Sequence, residues 1–169
     1  MNTTKKLVFA ALCTAIGVVL PQAFHMIPNA GSIFLPMHIP VLFCGLVCGP
    51  VYGAACGGAA CLLSHLLTGM PPAAVFPGMI CELIVYGLVA GLMSMLLKNK
   101  NIGTIYIELI VAMIAGRIVS GILNALIFRA GAYSMQAWIT ASFVTALPGI
   151  AIQLVLIPVL VSRLKKFVE

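Results

Sequence analysis

Pro36 to Pro72 reads PMHIPVLFCGLVCGPVYGAACGGAACLLSHLLTGMPP, and from Ile39 to Leu67 it contains no Asp, Glu, Lys or Arg. A charge-free backbone of that length belongs in hydrocarbon or in a fully buried core. As one helix it would run roughly 43 Å at about 1.5 Å per residue, longer than the roughly 30 Å of a bilayer's hydrocarbon core. Gly49-Pro50 falls in its middle, where Pro50 supplies no backbone donor and its ring clashes with the preceding turn, so a helix must break there. The stretch reads as two short helices joined by a tight turn, bounded by Pro36 and Pro40 at one end and by Gly69-Met70-Pro71-Pro72 at the other. Gly45, Gly49, Gly53, Gly57, Gly58, Ala59 and Ala60 let neighbouring backbones approach closely, which makes this hairpin the packing centre for the remaining helices.

The rest of the chain agrees with a membrane setting. Of 169 residues, 63% are apolar and 7% charged, with a mean hydropathy of +1.21; soluble domains carry about 25% charged residues. The fold class is therefore an all-α integral membrane protein, in one domain spanning 1–169. Nine Lys and Arg outnumber three Asp and Glu, but the cations mark helix ends instead of forming a basic face, which excludes nucleic acid and points to membrane topology. The six cysteines all fall within apolar runs, and no Cys-x2-Cys pair or nearby His completes a zinc set, so they read as small buried apolar side chains and no metal is called for. The N-terminal apolar run reads as a retained first span ending at Pro21.

Six spans result: Leu7–Leu20, the two arms of the hairpin, Ala73–Leu97, Thr104–Phe128 and about Ala137–Leu160, with a loop from Pro21 to Leu35. With both termini cytoplasmic, Lys5, Lys6, Lys98, Lys100, Arg163, Lys165 and Lys166, seven of the nine cations, lie on the inner side. The outer surface then comprises the segments around His25, Gly69 to Pro72, and Tyr133.

Charges within spans cost at least about 2.5 to 3.5 kcal/mol on insertion scales and call for a reason. Glu82 lies about nine residues below the outer end of the fourth span and Arg117 about eleven below that of the fifth, at one depth on adjoining helices. They form either a structural ion pair or part of an outward-opening binding pocket. Ser120 and Asn124 continue the Arg117 face outward. Thr145, Gly149 and Gln153 recur every four residues on the last span, where Gln153 makes either a helix-packing hydrogen bond or a ligand contact. Tyr86, Tyr133 and Trp138 are either interfacial belt residues or stacking surfaces for a flat ring. His38 and His65 stand at the outer ends of the hairpin arms, and Glu108, near the inner end of the fifth span, is placed to reach the headgroups. No HExxH, Walker lysine or GxSxG occurs, so a binding and translocation role is favoured over catalysis.

Read together, Lys5-Lys6-Leu7-Val8, Ala11-x3-Ala15, Leu35-Pro36-Met37-His38-Ile39-Pro40, Cys48-Gly49-Pro50-Val51-Tyr52-Gly53, Leu63-Ser64 with Thr68-Gly69-Met70-Pro71-Pro72, Glu82-x3-Tyr86-Gly87 and Gly116-Arg117 resemble, in order and over the whole chain, the substrate-binding S components of energy-coupling factor (ECF) vitamin transporters. The resemblance implies a cell-membrane subunit without a cofactor that captures a micronutrient from outside. It implies toppling against a transmembrane T component driven by two cytoplasmic ATPases, with the Ala11 and Ala15 face of the first span docking on the T component. Met37-His38 resembles the start of nickel and cobalt S components, but it is internal here, which disfavours metal. The short loops and lone Glu and Arg resemble the vitamin B6 type first, then the pantothenate or hydroxymethylpyrimidine type. The substrate-binding candidates are Glu82, Tyr86, Arg117, Asn124, Gln153, His38, His65 and Trp138. A stand-alone facilitator or channel, or a small membrane-embedded enzyme, is the alternative.

Overall fold

The computed structural model describes residues 2–24, 30–97, 101–128 and 134–168, is 89% helical and has no strand among those residues. Its elements are α1 (Thr3–Ala23), α2 (Ala30–Phe34), α3 (His38–Cys48), α4 (Pro50–Thr68), α5 (Phe76–Leu96), α6 (Ile102–Leu123), α7 (Met135–Ile139) and α8 (Leu147–Val168). Two π-helical segments, Asn124–Phe128 and Thr140–Thr145, extend α6 and α7. Six helical stretches among the described residues are long and apolar enough to cross a membrane, the second being Gly31–Cys48.

The hairpin forms as its sequence requires. Gly49 takes φ of 99°, a backbone state that side chains disfavour, and Pro50 opens α4 at a position where its missing donor leaves no hydrogen bond unmade. Of the second span 61% is buried, against 17% of the first, so α3 is the centre of the bundle and α1 lies at its edge.

Between membrane helices apolar burial supplies little drive, because lipid tails are as apolar as Leu; close packing and interhelical hydrogen bonds do the holding. Here glycines set that packing. A Cβ on Gly53 of α4 would run into the carbonyl oxygen of Gly87 on α5, and a Cβ on Gly87 into that of Gly53, so the two backbones touch. Gly45 of α3 faces the same Gly87 carbonyl, and Gly57 faces that of Leu83. Ser94 Oγ donates to Leu46 O over 2.8 Å and ties α5 to α3. Cys13, Cys44, Cys48 and Cys56 join α1, α3 and α4 at the Cys48–Pro50 end, each buried, with Cys44 Sγ donating to Tyr52 O at 3.6 Å. Outward-facing Leu7, Leu66, Ile107, Leu126 and Val155 present the apolar exterior that lipid covers.

Three expectations change. The expected loop from Pro21 to Leu35 is helical at 21–23 and 30–34 among its described residues: α1 runs through Pro21 to Ala23, and 30–34 forms α2, of which 31–34 belongs to the second span. His25 and Tyr133 lie outside the described residues. The last span is divided, with α7 and a π-helical segment preceding α8, because Ala146 and Pro148 interrupt it. Glu108 is buried within the bundle instead of reaching the headgroups, since it shares one face of α6 with the buried Ile105, Ala112 and Leu109.

Candidate functional site

Near the Phe76 end of α5, polar side chains from three spans converge in the interior. His38 opens α3 directly after the Leu35–Met37 corner and is 2% exposed. Glu82 and Tyr86 are one turn apart on α5, on one face. The His38 Nε2 stands 3.8 Å from Glu82 Oε1, an ionic distance beyond hydrogen-bond range, and its ring meets that of Tyr86 edge-on at 5.2 Å. Arg117 of α6 donates from Nε to Tyr86 Oη over 2.8 Å.

Arg117 is also covered from the chain's last third. Trp138 Nε1 donates to the Arg117 carbonyl at 3.2 Å, Phe143 places its ring 5.5 Å from the guanidinium carbon, and the two rings meet at 87°. A cation over an aromatic face is worth about 0.5 to 2 kcal/mol, more when desolvated. Glycines make the room. A Cβ on Gly116 would strike the Tyr86 ring, and one on Gly121 the Trp138 indole, so each neighbour sits where a larger residue would displace it.

Glu82 and Arg117 do not pair directly within 4.0 Å; each faces another side chain, His38 for one and Tyr86 for the other. Tyr86 is fully buried among the helices and is no interfacial belt residue. A second polar layer lies two turns along α6: Asn124 Nδ2 donates to Ser120 O at 2.8 Å and to Ser120 Oγ at 3.3 Å, and Ser120 Oγ donates to Gly78 O at 3.2 Å.

Several buried polar atoms in this region have no protein partner: Arg117 Nη1, both ring nitrogens of His38, and both amide atoms of Gln153. Gln153 sits on α8 one turn beyond Gly149, whose absent side chain faces Ile33 and Phe34, so its register directs it at the α2–α3 corner that carries His38. His65 lies apart from this cluster, stacked on Phe76 at 4.4 Å with Nδ1 2.7 Å from Pro71 O. Among the described residues no group of three or more His, Cys, Asp or Glu is arranged to hold a metal ion. Sequence reasoning did not single out Phe143, an ordinary apolar residue whose place over Arg117 depends on the π-helical turn that carries it. Ala11 and Ala15 both lie exposed on the outer side of α1.

A six-span bundle of apolar helices enclosing a small polar cluster defines a multi-pass membrane protein with an internal polar site. The chain belongs to the family of substrate-specific components of ECF transporters, whose family model matches residues 5–161. It is thus the substrate-binding subunit of an ECF importer in the cell membrane, and not an enzyme. No curated protein and no solved structure matches the chain.

Proposed function

We propose that this subunit captures a small ring-bearing vitamin or vitamin precursor from outside the cell at the His38, Glu82, Tyr86 and Arg117 cluster, and that the ligand is of the vitamin B6 type before the hydroxymethylpyrimidine or pantothenate type. The observation that carries this reading is Arg117: a buried cation held at Nε by Tyr86 and capped by Phe143, with Nη1 left without a protein acceptor. A buried donor costs about 1 to 3 kcal/mol when unpaired, and a ligand oxygen there removes that cost. Trp138 and Phe143 supply aromatic surface at the same place, while Ser120, Asn124 and Gln153 extend the polar wall.

Release to the cytoplasm requires the partners: a T component received at the Ala11 and Ala15 face, and two cytoplasmic ATPases. The exposure of both alanines at the edge of the bundle supports this reading, as does the shallow burial of α1. Both termini are cytoplasmic in this scheme, and Lys6, 6.0 Å from the Tyr52 ring beside the Gly49 turn, places a cation at that same end. The test is ligand identification by mass spectrometry on the purified subunit, paired with uptake in cells lacking the ATPases. A bound vitamin or precursor with uptake abolished supports the proposal, and uptake that persists without the ATPases favours a stand-alone facilitator.

A further inference from the structure

We infer that residues 135–145, α7 with the π-helical segment that follows it, form a flap over Arg117 that swings aside to admit a substrate, with Trp138 as its latch and the backbone around Ala146 as its hinge. This rests on the reading of the His38, Glu82, Tyr86 and Arg117 cluster as the substrate site, and it goes beyond that reading in naming the way in. Three observations carry it: the closure of the site, the weak hold on this segment, and the place where that hold is concentrated.

The site is shut. Arg117 is 3% exposed, His38 is buried, and Tyr86 and Gln153 have no exposed surface, so no molecule reaches Arg117 Nη1 from water unless some element moves. Most of the surrounding elements are locked in place. The Gly53 and Gly87 backbones touch between α4 and α5, Gly116 of α6 lies against the Tyr86 ring of α5, and the span that contains α3 is the most deeply buried of the six. Moving any of these would part close-packed helices along their length. Residues 135–145 differ, because none of them is buried, whereas α6 buries nine of its residues. Segments with little buried contact open at the smallest cost in free energy, and binding lids are drawn from them.

What holds the segment down is concentrated on Arg117. Trp138 Nε1 donates to the Arg117 carbonyl at 3.2 Å, the indole fits against Gly121 one turn further along α6, and Phe143 lies 5.5 Å from the guanidinium carbon. The two aromatic rings meet edge to face with centroids 5.6 Å apart, so they pack on Arg117 as one unit. The far end of the segment is anchored. Ala146 is buried, and Gly149 sits where a Cβ would strike the backbone of Ile33 and Phe34. Between flap and anchor the helix path breaks: Ala146 takes ψ of −2°, away from the helical value near −42°, and Pro148 brings no backbone donor. A break of that kind lets a segment pivot on one or two residues.

The test is modification of the purified subunit in detergent by phenylglyoxal, a small uncharged arginine reagent, with Arg117 and the exposed Arg163 followed separately by peptide mass spectrometry. Arg117 should react more slowly than Arg163 in the parent. Trp138→Phe removes the donor to the Arg117 carbonyl and should speed reaction at Arg117 by about three- to tenfold, the shift in opening that one hydrogen bond sets, with Arg163 unchanged. Gly121→Ala keeps the indole but displaces it, in a helix that alanine favours, and should act in the same direction. His65→Ala instead frees the α4–α5 turn, where His65 Nδ1 stands 2.7 Å from Pro71 O, and should leave Arg117 as slow as in the parent. Melting curves establish that each variant is folded. Unchanged Arg117 reactivity in folded Trp138→Phe and Gly121→Ala, or acceleration by His65→Ala alone, would overturn the inference. Acceleration by the first two variants, beside full affinity of Arg117→Met for the co-purifying molecule, would uphold the flap and overturn the placement of the substrate behind it.

Discussion

Arg117 Nε donates to the hydroxyl of Tyr86 over 2.8 Å across two helices, and both residues are buried. The bond exists because Gly116, the residue before Arg117, has no side chain to occupy the space of the Tyr86 ring. One backbone choice therefore sets the position of the guanidinium, and with it the donor that faces the site.

Tyr86→Phe removes the acceptor and leaves Arg117 Nε buried without a partner, which should lower stability by about 1 to 3 kcal/mol and weaken ligand binding. Gly116→Ala should weaken binding in the same direction by displacing the ring while keeping the hydroxyl. Ligand titration beside a detergent melting curve measures both. A Gly116→Ala variant that binds as tightly as the parent would show that the ring has room the packing does not display.

The contact of Gly53 with Gly87 makes a second expectation. Alanine at either position drives a methyl group into the opposite carbonyl, so each should cost about 1 to 3 kcal/mol as an overpacked core does. Gly58→Ala serves as the comparison, because its added Cβ would meet only the flexible Ile84 side chain, at 3.4 Å. Thermal unfolding in detergent should separate the first two from the third; equal melting temperatures for all three would contradict the packing described.

At the edge of the bundle, Ala11→Trp or Ala15→Trp should abolish ATP-driven uptake and leave ligand binding by the isolated subunit unchanged. Both positions are exposed, so a large side chain meets no neighbour within the chain and obstructs only what docks from outside. Loss of binding in the isolated variants would mean that α1 supports the site from within.

Much of the architecture was legible in the sequence, for identifiable reasons. Gly49-Pro50 can hardly be helical, so the hairpin declares itself, and charge-free runs of span length declare the helices. Depth along a helix follows from counting, which is why Glu82 and Arg117 could be placed at one level. Their partners could not be counted out. Whether Arg117 reaches Glu82 or Tyr86 depends on helix rotation, which here is set by glycine contacts between α4, α5 and α6 that leave no trace in hydropathy. The same holds for the π-helical turns at 124–128 and 140–145, because one extra residue in a turn is a product of tertiary packing. Pro21 misled in the opposite direction: in the last turn of α1 its missing donor frees only one carbonyl, so the helix continues to Ala23. Glu108, near a helix end by sequence, faces the interior by rotation.

The most direct measurement is the affinity of the purified subunit for its co-purifying ligand in Arg117→Met compared with the parent, with melting curves recorded alongside. The account predicts a folded variant whose affinity falls by about 100-fold, equivalent to about 2.7 kcal/mol, because a charge-assisted bond to the ligand is lost. A folded Arg117→Met subunit that holds the same ligand with the parent's affinity would contradict the placement of the substrate at this cluster.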